Sequence, residues 1–155
     1  MPEAITKYAI NSTLGTEDFK PLDQLIAEER DLVASDNLYK YFHVGNKDIV
    51  TVGKKDIAVF NFVSKRNGSI RIKSQAVMTT ISDEAGFRIY QDNVLLYEEV
   101  FYKTLIDIST DIQINKGKDY KIAIYSRLSG LTARLTNTRI CANELDISGI
   151  EIMEV

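Results

Sequence analysis

Four kinds of side chain in this sequence could do chemistry: the adjacent carboxylates Asp83-Glu84 and Glu98-Glu99, the single histidine His43, the single cysteine Cys141, and eight tyrosines with no tryptophan beside them. Glycoside hydrolysis needs two carboxyl groups facing each other across a bond, about 5–9.5 Å apart. Neighbouring residues of a strand point to opposite faces, so Glu98 and Glu99 cannot form that pair by themselves. Asp83 and Glu84 fall in a loop that could contribute to a calcium site, but no EF-hand spacing accompanies them. His43 lies in an aromatic stretch with no serine or cysteine in an activating context, and reads as a packing residue rather than a base. One His and one Cys far apart in sequence do not make a zinc site, and Gly117-Lys118 lacks the helix that follows a phosphate-binding loop. The expectation is a protein with no catalytic residues, no metal and no cofactor; a hydrolase using Asp83, Glu84 or Glu98 is the enzymatic alternative.

Tyrosine remains. Tyr90 and Tyr97 fall on the outward side of a hairpin if Phe87, Ile89, Val94 and Leu96 face the core, and Tyr125 shares an outward face with Lys121. Exposed tyrosines stack on sugars or anchor protein contacts; the plainer reading is Tyr as a strand former on half-buried surface. Tyr90, Tyr97 and Tyr125 are the candidate surface-contact residues.

The element that must position them is Phe87 to Tyr97, two short strands joined at Asp92-Asn93. Asp and Asn tolerate positive φ, so this pair suits the centre of a type I′ turn. Period-two alternation extends on both sides, from Leu38 to the end of the sequence. Strands are predicted at 38–44, 49–52, 57–63 and 69–78, the third apolar on both faces. After a loop at 82–86 and the hairpin, strands follow at 102–108 and 111–114, with Ile106, Ile108, Ile112 and Ile114 inward and a bulge or bend at Ser109-Thr110. Further strands are predicted at 120–126, 131–140 and 147–155. Short strands at this spacing with two prolines favour an antiparallel β-sandwich or jelly roll.

Before the sheet the pattern differs. Residues 1–15 have neither period and read as an arm. Leu22, Leu25, Ile26, Leu32 and Val33 then fall on one helical stripe, with Pro21 at the first turn and Asp18 and Asp23 at the positive end of the dipole. The helix is expected to stop near Ala34-Ser35-Asp36-Asn37. The domain reading is therefore 1–36 as arm and docking helix and 37–155 as β-sandwich. Tyr8, Ile10, Leu14, Leu22, Leu25 and Ile26 are the candidate partner-docking residues.

With 155 residues, 45% apolar and 26% charged, the chain is the size of one soluble domain, and no apolar run approaches the ~20 residues of a membrane span. The first residues have no secretory h-region, so a cytosolic origin is expected. One cysteine permits no internal disulfide. A net charge of −3 argues against nucleic acid as partner, since phosphate binding shows as clustered basic excess; Lys54-Lys55 and Lys65-Arg66 sit at turns.

Four runs in order, Asn67–Lys73, Phe87–Asn93, Ile114–Ile122 and Leu131–Asn137, resemble the small β-sandwich modules of tailed-bacteriophage structural proteins. In those modules a Gly-initiated strand, a Tyr/Asn hairpin, a Gly-Asp turn and an Asn-containing strand follow one another. The resemblance covers roughly residues 67 to 140. It implies a non-enzymatic virion protein, made in the host cytoplasm and attached through its arm and helix, with tail or baseplate as first location and the capsid exterior as a decoration or head-fibre protein as second. Other virion proteins, further copies of this chain and a host-surface glycan are the implied partners. A carbohydrate-binding module is the alternative from a different class.

Overall fold

The computed structural model describes residues 31–41, 43–79, 84–143 and 150–153. These form ten strands: β1 (Ala34–Tyr41), β2 (Asn46–Val50), β3 (Lys55–Ser64), β4 (Gly68–Met78), β5 (Ala85–Gln91), β6 (Val94–Phe101), β7 (Ile106–Ile114), β8 (Asp119–Ser126), β9 (Thr132–Ala142) and β10 (Ile150–Met153). The first sheet runs β1-β9-β4-β7, with β2 paired to the other half of β9, and the second runs β10-β3-β8-β5-β6. Every ladder is antiparallel. From β3 onward the chain passes back and forth between the sheets, except at the β5–β6 hairpin, the jelly-roll manner of building a sandwich. The protein is mainly β, as the alternation predicts.

Alternation also sets the core. Ile70, Ile72, Ile108, Ile112, Ile114, Leu135 and Ile140 of the first sheet meet Phe60, Phe62, Phe87, Ile89, Ile122 and Ile124 of the second in one buried cluster. Burying each such side chain is worth about 1.5–3 kcal/mol. Phe62 and Tyr120 stack with ring centres 5.0 Å apart.

The arm, the helix before residue 31 and the docking residues Tyr8, Ile10, Leu14, Leu22, Leu25 and Ile26 lie outside the described residues. The end of the predicted helical stripe is extended instead. Leu32 is fully buried and bridges Gly68, donating to Asn67 O at 3.0 Å and accepting from Ser69 N at 2.9 Å. Gly68 allows this passage. It has φ +124°, and a Cβ there would come within 2.1 Å of Leu32 O. Strand β1 then begins at Ala34, where the sequence suggested a turn.

The bulges also differ from expectation. Strands β4 and β7 pair without a break from Gly68↔Ile114 to Ala76↔Ile106, because the inward residues of β7 are all even-numbered and alternation crosses Ser109-Thr110 undisturbed. Register shifts occur at Ala58/Phe60, Lys73/Gln75 and Ile89/Tyr90 instead. The loop expected at 82–86 gives way to strand at Ala85, whose side chain is buried.

Candidate functional site

Asp92 and Asn93 take φ values of 46° and 69°, the paired positive angles of a type I′ turn. The turn is tied to the start of β8: Asp92 N donates to Asp119 O at 2.9 Å, and Asp119 N donates to Asp92 Oδ1 at 3.2 Å. This fixes β5, β8 and β3 side by side, and their outward side chains form cross-strand rows. One row is Asn61, Lys121 and Tyr90; the next is Ala58, Ala123, Arg88 and Glu98; the third is Asp56, Tyr125, Gly86 and Val100.

Arg88 sits at the middle of this face. Its Nε is hydrogen-bonded to Glu98 Oε2, its Nη1 donates to Tyr90 Oη at 3.1 Å and lies 3.5 Å from Asp56 Oδ1, and its Cζ stands 3.8 Å above the Tyr125 ring. Tyr90 Oη in turn donates to Asp56 Oδ2 at 2.7 Å. Desolvation disfavours the Arg88 charge, but Glu98 and Tyr90 outweigh it and hold the guanidinium more firmly protonated than usual. Burial, followed by the Asp56 carboxylate, pushes the Tyr90 hydroxyl above its ordinary value.

Of the three candidate tyrosines, two share this face and one does not. Tyr90 is 9% exposed with Lys121 Nζ 4.7 Å from its ring centre, and Tyr125 is covered on one side by Arg88. Each ring carries a cation where a sugar would stack. Tyr97 faces the core: it pairs with Ile89 and packs against the buried cluster. The bulge at Ile89/Tyr90 shifts β6 by one residue, so Tyr97 turns inward; Leu96 at the bulge and Val94 beside the turn, both expected in the core, are exposed.

A hollow of about 380 Å³ opens at the hairpin end of this face. Asn61, Tyr90, Asp92, Asn93, Asp119 and Lys121 form its walls, over Phe62 and Tyr120. Asn61 Oδ1 is buried with no hydrogen-bond partner. Lys118 Nζ lies 3.5 Å from Asp92 Oδ2 at the rim. Tyr120 is held away from the opening, its hydroxyl accepting from Asn115 N at 2.8 Å and donating to Gln91 Oε1 at 3.0 Å.

The opposite end of the same face has a hollow of about 280 Å³ lined in part by Glu84, Gly86, Glu98 and Tyr125. It brings Glu84 and Glu98 together, whereas Asp83 lies outside the described residues. Glu98 is engaged by Arg88. Glu99 pairs with core-facing Phe87, so the two neighbours do point to opposite faces. Among the described residues no three His, Cys, Asp or Glu side chains converge on a metal position. Burial, then Lys47, lowers the His43 imidazole, and His43 Nε2 has no partner. Cys141 is buried, which raises its thiol.

Asn61 and Arg88 carry this site, and sequence reading passed over both. Asn61 sits among Phe60, Phe62 and Val63 in a stretch that reads as apolar, and its interruption of that stretch was the available signal. Asp56, a partner of both Arg88 and Tyr90, reads as a turn residue.

No family model matches the chain, and no curated protein sequence matches it. Solved structures similar in part include the C-terminal domain of EclA, a sugar-binding protein, with TM-score 0.45, 10% identity, and 67% of this chain and 83% of that one covered. The CBM22-1 xylan-binding domain of Xyn10C from Paenibacillus barcinonensis gives TM-score 0.43 and 10% identity over 73% of this chain and 90% of that one. CBM35 from the same organism gives 0.37 and 13% over 70% and 100%. At these values the likeness is one of chain trace in part only.

Proposed function

We propose that this chain is a non-catalytic carbohydrate-binding module that holds a sugar in the hollow between Asn61, Tyr90, Asp92 and Lys121. The observation that carries the reading is the buried Asn61 Oδ1 without a donor. A buried acceptor left unpaired costs about 1–3 kcal/mol, and rotation of the Asn61 amide toward a ligand hydroxyl in the hollow removes that cost. Each sugar hydroxyl donates and accepts at once, which matches walls that offer the Asp92 and Asp119 carboxylates as acceptors and the Lys121 ammonium and Asn93 amide as donors. The volume lies at the small end of the roughly 300–1,000 Å³ usual for ligand pockets, which suits a short saccharide.

The test is glycan-array screening followed by calorimetry on the strongest hit. Asn61→Ala is expected to weaken binding about tenfold while leaving the melting temperature at or above that of the parent. Undiminished affinity in Asn61→Ala rejects the hollow as the site.

A virion setting is a separate proposal about where such a module is displayed, favoured by the resemblance of residues 67 to 140. Removing residues 1–30, which spares Leu32, is expected to abolish incorporation into particles and leave a soluble β domain. Normal incorporation of the truncated chain rejects it.

A further inference from the structure

The outer face of the first sheet has its own hollow, of about 480 Å³, lined in part by Lys73, Gln75, Asp107, Ser109, Asn137 and Arg139. Lys73 and Arg139 are direct cross-strand partners on β4 and β9, and like charges in that position destabilise a sheet. Lys73 reaches Asp36 at 3.3 Å, a carboxylate it shares with Arg71 at 3.4 Å. Arg139 Nη1 donates to the Asn137 carbonyl at 2.9 Å; among the described residues no carboxylate pairs with it.

The β9 irregularity completes the arrangement. Asn137 has φ 50°, and its Oδ1 accepts from Gly45 N at 2.6 Å, so the amide's NH₂ end is the one left to donate. Ser109 stands opposite Lys73 on β7 and adds a hydroxyl. Gln75 Nε2 donates to Asp107 Oδ1 at 2.9 Å. The lining itself carries two cations and one carboxylate, and because Lys73 is also paired with Asp36 beside it, Arg139 is the lining cation that no carboxylate meets among the described residues.

We propose that this hollow binds a singly charged oxyanion, a sulfate ester or a carboxylate, between the Lys73 ammonium and the Arg139 guanidinium, with Ser109 and Asn137 donating to its oxygens. The planar fork of guanidinium N–H donors matches a pair of oxygens on either anion. A bound anion converts the repulsive Lys73–Arg139 pair into two favourable contacts. The site lies on the other sheet from the proposed sugar hollow and stands independently of it.

The experiment is an NMR titration of ¹⁵N-labelled full-length protein with galactose 6-sulfate, with glucuronate and with uncharged galactose. Perturbation of Lys73, Ser109, Asn137 and Arg139 by a charged probe and not by galactose, weakening as NaCl is added, is the expected result. Response to the sulfate alone or to the carboxylate alone identifies which anion the site takes. Arg139→Gln should reduce affinity about tenfold, whereas Arg134→Gln, whose parent side chain is paired with Asp48, should not change it. If Arg139→Gln does not fold, Lys73→Gln takes its place, and the wild-type titration and its salt dependence still decide. No perturbation at tens of millimolar probe, perturbation centred on Lys121, or affinity unchanged in Arg139→Gln overturns the proposal.

Discussion

On the outer face of the first sheet, Arg71 grips Asp111 with Nε at 2.8 Å and Nη2 at 3.2 Å, and Arg134 grips Asp48 with the same two nitrogens at 2.8 and 3.1 Å. On the second sheet a single guanidinium, Arg88, serves Glu98, Asp56, Tyr90 and the Tyr125 ring together. On the first face Arg134–Asp48 is a separate pair and Arg71 and Lys73 are joined only through Asp36, with every one of these carboxylates exposed to water and screened by salt. The second is a hub, only 20% exposed at the Arg88 side chain, whose loss leaves several groups unpaired at once. Groups with separate partners respond additively to substitution, and groups sharing one partner do not.

The largest expected effect tests that contrast. Arg88→Ala should cost about 1.5–3 kcal/mol in denaturant unfolding, because half-buried Asp56 loses its cation and Tyr90 and Glu98 lose a shared hydrogen-bond donor. Arg71→Ala and Arg134→Ala should leave the midpoint close to that of the parent. An Arg134→Ala cost equal to that of Arg88→Ala breaks the distinction between pairs and hub. Next in size, Tyr90→Phe removes the hydroxyl between Arg88 and Asp56 and should cost about 1 kcal/mol. Combined with Arg88→Ala it should add less than it does alone, as a double-mutant cycle would show.

The smallest effect separates the sheets by pH. His43, beside the first sheet, titrates below 6.5 in the fold because burial and Lys47 disfavour its charge. As pH falls past 6.5 the unfolded chain takes up a proton that the folded one refuses, so stability declines down to the folded value. Lys73 and Arg71 lower Asp36, and Arg134 lowers Asp48, from 3.8, which adds a second loss as pH falls below 3.8. Tyr90, Tyr97 and Tyr120, all on the second sheet, are raised above 10.0, chiefly by burial. Their contribution is intact below pH 10.0 and is lost as pH rises through the folded values. Melting scans should therefore show His43→Gln flattening the acid limb alone, and Tyr90→Phe the alkaline limb alone.

What the sequence made legible was local. The turn at Asp92-Asn93 follows from residue chemistry within a few positions, and the inward set Ile106, Ile108, Ile112 and Ile114 follows from period two: three are buried and Ile106 packs against them. What it hid was non-local. Tyr97 reads as outward only if β5 and β6 pair without a bulge, and nothing between Ile89 and Tyr97 announces the extra residue. Asp56 and Arg88 are 32 positions apart and meet only because β8 lies between their strands. Asn61 acquires its importance from Lys121 and Tyr90, which reach it across two ladders.

Leu32 has a mechanical consequence. Its backbone is clipped to Asn67 and Ser69, and the residue after it exchanges hydrogen bonds with Asn143, Val33 N donating to Asn143 Oδ1 at 2.8 Å and Asn143 N to Val33 O at 2.9 Å. A pull on the segment preceding residue 32 is borne first by this clip and by the buried leucine side chain, before any load reaches the β1–β9 ladder. The clip thus stands ahead of the edge strand β1, and Gly68, whose missing Cβ lets the chain pass, is the residue on which it depends.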